Sequence, residues 1–133
     1  MAKLTREQLN RWNAQAQNGF KLDLQYFLIW GEKTLIKDIE QENGVIIRFK
    51  LSYIDEFETK TNEHGCRWNE RTGKQLPVMR IDKLLPCETT SMYRVITIAK
   101  SKQMAEPEKT KKFATLCKLS ATIDVNAELQ AIA

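Results

Sequence analysis

GVIIRFKLSYIDEFETKTNEHGCRWNERTGKQLPVMRIDKLL, residues 44 to 85, holds two apolar runs around a polar middle, and the reading of that middle decides the fold. Val45 to Ile54 is rich in β-branched and aromatic residues, as a strand requires. Val78 to Leu84 reads as a second strand, bracketed by Pro77 and Pro86. Residues 55 to 76 are polar and contain Gly65 and Gly73. They read either as a hairpin with a long mobile tip or as an irregular loop, and loops of that length are often functional. Within them, 61 to 75 gathers His64, Cys66, Trp68 and several basic side chains, with Lys60 just ahead.

Upstream, Asn43-Gly44 is a hairpin signal, because both residues tolerate positive φ. Thr34 to Gln41 reads as the strand before it. Phe20, Leu22, Leu24, Tyr26, Leu28 and Trp30 alternate with Lys21, Asp23 and Gln25. This period of two predicts a long half-buried strand over 20–30, with a turn at Gly31-Glu32. Phe27 and Ile29 make its far end apolar on both faces. At the start of the chain, Thr5 and Gln8 have the spacing of a capping box, and Leu4 and Leu9 that of a hydrophobic staple. Leu9, Trp12 and Ala16 share one helical face. Asn18-Gly19 is a natural stop, so a helix is expected from Arg6 to about Gln17. Trp12, on the apolar helix face, and Trp30, closing the alternation, are expected in the core.

Downstream, Ser91 to Ala99 reads as a strand. Residues 113 to 125 fit two periods. Phe113, Leu116 and Cys117 share a helical face, whereas Phe113, Thr115, Cys117, Leu119, Ala121, Ile123 and Val125 alternate like a strand. Glu106-Pro107-Glu108 breaks the tie. Proline suits a first helical turn and acids there favour the dipole. A helix is therefore expected from Pro107 to about Ser120, with Asn126 capping a short final helix through Ile132. No repeat or second domain is visible, so residues 1–133 read as a single domain. The expected fold is α+β: an N-terminal helix, an antiparallel sheet of about five strands, and a C-terminal helix or helices packed on one face of the sheet.

A chain of 133 residues is long enough to build a core without covalent staples. No apolar run reaches the ~20 residues that cross a bilayer. The chain starts Met1-Ala2-Lys3-Leu4-Thr5-Arg6, without a signal peptide's apolar stretch. A cytoplasmic protein with no leader and no membrane partner is expected. Cys66, Cys87 and Cys117 are an odd set at wide spacings, which fits free thiols in a reducing compartment. The net charge is +4, unevenly spread. Glu32, Asp38, Glu40, Glu42, Asp55, Glu56 and Glu58 make residues 32–58 acidic. Lys60, Arg67, Arg71, Lys74, Arg80 and Lys83 make 59–83 basic, and further lysines follow over 100–118. Such asymmetry suits an anionic partner, or is simply a solvated surface.

The residues suited to catalysis are sparse. His64 is the single histidine, and it sits beside Gly65 in a segment poorly suited to fixed geometry. No G-x-S-x-G, H-E-x-x-H, kinase or glycine-rich phosphate motif occurs. Asp82, Glu88 and Asp124 would have to be brought together by the fold. No enzyme and no cofactor are expected. His64, Cys66, Cys87 and Cys117 are a chemically valid zinc set. Their spacing lacks the short knuckle of structural sites, so separate reduced cysteines with Cys117 in the core are the main expectation and a zinc-stabilised domain an alternative.

The partner-binding candidates are Lys60, Arg67, Trp68, Arg71 and Lys74. The cations can neutralise phosphates. Trp68 can stack on an exposed base or fold back onto the sheet as an anchor. Glu63 and Glu70 dilute the charge. Aromatic side chains flanked by arginines also make protein interface hot spots, and the acidic stretch Asp38 to Glu42 would suit a basic partner. Strong DNA mimicry needs a heavily acidic chain, which this is not. The leading expectation is a small non-enzymatic binding protein acting on nucleic acid, or on a nucleic-acid-handling protein, through 60–74. The alternative is an accessory or inhibitor protein that binds only protein, of the size and style seen among phage and mobile-element factors such as anti-CRISPR proteins. The sequence leaves the partner's identity and the oligomeric state open.

Overall fold

The computed structural model describes residues 4–86, 93–105 and 111–132, and of 93–97 only the backbone. Its elements run α1 (Arg6–Gln15), β1 (Lys21–Leu22), α2 (Leu24–Trp30), β2 (Leu35–Glu40), β3 (Ile46–Thr61), β4 (Arg67–Pro86), β5 (Tyr93–Gln103), α3 (Lys112–Ser120) and α4 (Val125–Ala131). The strands form a five-stranded meander in the order β1-β2-β3-β4-β5, every neighbour antiparallel. This is the α+β architecture that the periodicities predict, with the C-terminal helices on one face of the sheet.

Register explains the covered face. Leu35, Leu51 and Met79 stand opposite one another, as do Phe49 and Ile81. Odd positions of β3 and β4 therefore point to one side. There they meet Leu116 and Cys117 of α3, with Ile123 and Phe20 closing the cluster. Each such fully buried apolar side chain contributes about 1.5–3 kcal/mol. Across the sheet, even positions carry charge. Asp38, Arg48 and Asp82 make one cross-strand row, and Arg48 is held by Asp38 at 2.8 and 2.9 Å.

The N-terminal helix starts as expected. Thr5 accepts from the Gln8 N–H at 3.1 Å, and the Gln8 side chain accepts in return from the Thr5 N–H at 3.2 Å. It ends at Gln15, a little short of the expected stop. The chain after it is tied to the C-terminal part of the sequence. The Gln17 N–H donates to Ser120 Oγ at 3.0 Å, and the Asn18 amide donates to the Ile123 carbonyl at 2.8 Å.

The long strand expected over 20–30 does not form. Only Lys21 and Leu22 pair with β2, and Leu24–Trp30 is helical. The reason lies in its two ends. Asp23 accepts from the Tyr26 N–H at 3.2 Å, a cap that competes with strand geometry. Gly31, at φ +72°, donates its N–H to the Phe27 carbonyl at 2.8 Å and closes the helix. Phe27 alone of this helix is buried. Trp30, expected in the core, is 67 % exposed. Trp12 is half-buried, with its ring edge-on to Phe27 at 5.3 Å and to Phe113 at 6.4 Å between centroids.

The ambiguous tail is helical. Thr115, Leu116, Cys117, Leu119 and Ser120 are buried, a helical and not an alternating pattern, and the helix ends at Ser120 as expected. The expected start at Pro107 lies outside the described residues. Asp124, rather than Asn126, caps α4, accepting from the Ala127 N–H at 3.1 Å. Strand β5 runs on to Gln103 instead of stopping at Ala99; its expected start at Ser91 lies outside the described residues. Among the described residues no helix is long and apolar enough to cross a membrane.

Candidate functional site

The polar middle of the opening stretch is the hairpin alternative and not an irregular loop. β3 and β4 stay paired from Ile46↔Leu84 to Thr61↔Arg67. The turn is built by Asn62. Its side-chain oxygen accepts from the His64 N–H at 2.9 Å and the Cys66 N–H at 3.0 Å. Its carbonyl accepts from the Gly65 N–H at 3.1 Å, with Gly65 at φ +81°. Only an irregularity between Asp55 and Phe57 interrupts the ladder. There Thr72, Gly73 and Lys74 oppose Glu56, and the Thr72 hydroxyl donates to Glu56 at 3.0 Å. Beyond this bulge the two strands leave the body. Every residue from Phe57 to Lys74 is exposed, and the arm extends about 20 Å at strand rise.

All the predicted binding residues lie on this arm, but register sorts them onto different faces. Phe57 pairs with Arg71, Thr59 with Asn69, and Thr61 with Arg67. These six residues make one face with two arginines and an aromatic ring, and Asp55 is the acid at its base. Thr59 donates to Asn69 across it at 3.2 Å. Lys60 pairs with Trp68, and Glu58 with Glu70, so the opposite face holds two acids against one lysine. Lys60 Nζ lies 2.9 Å from Glu58 and 3.9 Å from Glu70, and the Glu58 hydrogen bond raises its pKa. Trp68 is 46 % exposed. Lys74 sits in the bulge at the arm's base, its N–H bonded to Thr72 at 3.3 Å.

The arginine face lies on the same side of the ribbon as Tyr53 and Gln75. Asp55 joins arm to body there, accepting from the Gln75 amide at 3.2 Å and standing 3.6 Å from Arg71 Nε. Arg67 has no carboxylate partner among the described residues. Phe57, Thr59 and Asn69 were not singled out from sequence. The signal that finds them is the pairing register, which turns alternate residues into one face.

The zinc alternative is overturned. Cys66 is exposed at the turn and Cys117 is buried in the core. Cys117 clusters with Leu51, and the strand from Leu51 to the tip spans on the order of 30 Å. No ion reaches both thiols. Burial pushes the Cys117 thiol up to about 11, the reverse of what a thiolate ligand needs. Among the described residues no three His, Cys, Asp or Glu side chains form a metal-ligating group. Cys87 and Glu88 lie outside the described residues. Asp82 is buried on the charged face of the sheet beside Arg80, at 3.0 Å.

The chain matches no protein-family model, no curated protein and no solved structure.

Proposed function

We propose that the protein is a non-enzymatic binding module that grips nucleic acid with the arginine-bearing face of its β3–β4 arm. The observation that supports this reading is the sorting of charge by register. Arg67 and Arg71 stand with Phe57, Thr59, Thr61 and Asn69 on a face whose single acid is Asp55 at its base, 3.6 Å from Arg71, while Glu58 and Glu70 hold Lys60 on the other. Guanidinium groups neutralise phosphates, threonine and asparagine hydrogen-bond to phosphate or sugar, and an aromatic ring stacks on a base. A two-stranded ribbon also has the cross-section that the major groove of B-DNA admits. The exposed free Cys66 suits a reducing cytoplasm as the place of work.

The test is a titration of labelled duplex DNA, single-stranded DNA and single-stranded RNA at low and physiological salt. A phosphate-driven grip binds at low salt and weakens steeply as salt rises. No binding of any of them at low salt removes the nucleic-acid reading.

A second reading rests on Phe57 and Trp68, 54 % and 46 % exposed on opposite faces of one arm. Exposed aromatics beside arginines anchor protein interfaces. An accessory or inhibitor protein that contacts only protein would use both. Pull-down from the native host with and without nuclease separates the readings, since a protein-only partner survives the nuclease.

A further inference from the structure

A cavity of about 490 Å³ opens between α1, the segment entering β2, and the start of α3. That volume suits a ligand of mononucleotide size. Trp12, Tyr53 and Phe113 supply aromatic walls, and Lys33, Lys111 and Lys112 stand around them. Lys33 Nζ lies 4.3 Å from the Trp12 ring centre and 5.5 Å from that of Phe113. Lys112 Nζ donates to Gln75 and lies 5.5 Å from the Tyr53 ring. None of the three lysines is ion-paired with a carboxylate among the described residues, although Glu32 also borders the cavity. Converging ammonium groups without counter-charges mark an anion site.

Two further observations point to the same place. α3 begins at the cavity, and its N-cap residue, Lys111, makes no side-chain cap hydrogen bond. The first bond of the helix runs from the Thr115 N–H to the Lys111 carbonyl at 3.0 Å. The N–H groups of Lys112, Phe113 and Ala114 thus have no partner within the helix and carry the positive end of its dipole. Independently, Thr34 in the cavity wall is only 2 % exposed, and its hydroxyl is buried with no hydrogen-bond partner. Native proteins rarely leave a buried hydroxyl unpaired, and a ligand atom is one explanation for such an orphan.

We infer that the cavity binds a small aromatic anion: a planar ring bearing a phosphate or a carboxylate. The anionic group sits on the α3 N–H groups with Lys111 and Lys112. The ring lies among Trp12, Tyr53 and Phe113, and a polar substituent meets the Thr34 hydroxyl. This site is independent of the arm.

Calorimetric titration with adenosine monophosphate, adenosine, inorganic phosphate and benzoate tests it. Saturable binding of the nucleotide, about tenfold tighter than adenosine or phosphate, supports the site and a nucleotide ligand. Benzoate binding as tightly as the nucleotide, or tighter, supports the site and an aromatic acid. Lys112→Ala should weaken the better ligand about tenfold. Thr34→Val should weaken it severalfold without lowering the thermal midpoint, since the hydroxyl it removes satisfies nothing in the free protein. Arg67→Ala with Arg71→Ala should leave this affinity unchanged. Absence of saturable binding, adenosine or phosphate alone binding as tightly as the nucleotide, or unchanged affinity in either Lys112→Ala or Thr34→Val overturns the inference.

Discussion

The two halves of the β3–β4 hairpin are one ladder with two fates. In the half nearest the helices, Phe49 and Ile81 face one another and are fully buried. In the outer half, Phe57 and Arg71 face one another the same way, and Phe57 is 54 % exposed. Both halves alternate and both are paired. What differs is the cover: α3 lies over the inner half, and nothing among the described residues lies over the arm. Strand pairing alone therefore does not bury a face, and an uncovered face with cations on it is free to meet something else.

The contrast is open to attack from several sides. Phe49→Ala should cost about 3–5 kcal/mol in urea unfolding, and Phe57→Ala less than about 0.5 kcal/mol. Equal costs would mean that the arm is part of the core. The two described thiols sharpen the same contrast. Cys117 ionises at about 11 in the folded chain against an ordinary 9.0. The unfolded chain loses that proton first, so the stability present below pH ~9 is lost as pH rises toward 11. The loss is on the order of 2 kcal/mol, and Cys117→Ala should flatten it. At neutral pH, alkylation followed by peptide mapping should label Cys66 quickly and Cys117 hardly at all. A smaller effect is expected at the sheet's edge. Asp23→Ala should cost about 1 kcal/mol through lost capping of α2. No change there would argue against the helix that replaces the expected strand.

Residues 45–54 and 78–84 were legible because their alternation and their burial agree. Thr5 and Gln8 were legible because capping is local chemistry. Residues 20–30 were misread because apolar residues at every second position also satisfy a short surface helix that buries a single side chain, Phe27. The deciding signals there were Asp23 and Gly31, a cap and a stop seven residues of helix apart. The arm's composition was legible, and its faces were not. Which residue stands opposite Arg71 depends on the bulge at Glu56, and that depends on Gly73 taking φ +84°, a choice that the local sequence permits and the rest of the sheet enforces. The cavity at α3 was invisible from sequence, because Lys33, Thr34, Tyr53 and Lys112 meet only once the chain is folded.

The proposed grip gives the arm a working face and an idle one. Fluorescence anisotropy with a labelled oligonucleotide, read across a salt series, measures this directly for Arg67→Ala with Arg71→Ala against Lys60→Ala. The double arginine variant should lose affinity strongly and lower the salt slope by about two, one for each phosphate contact. Lys60→Ala should change neither, because Glu58 and Glu70 already hold that charge. Equal losses in both, or a loss in Lys60→Ala alone, would contradict the assignment of the arginine face.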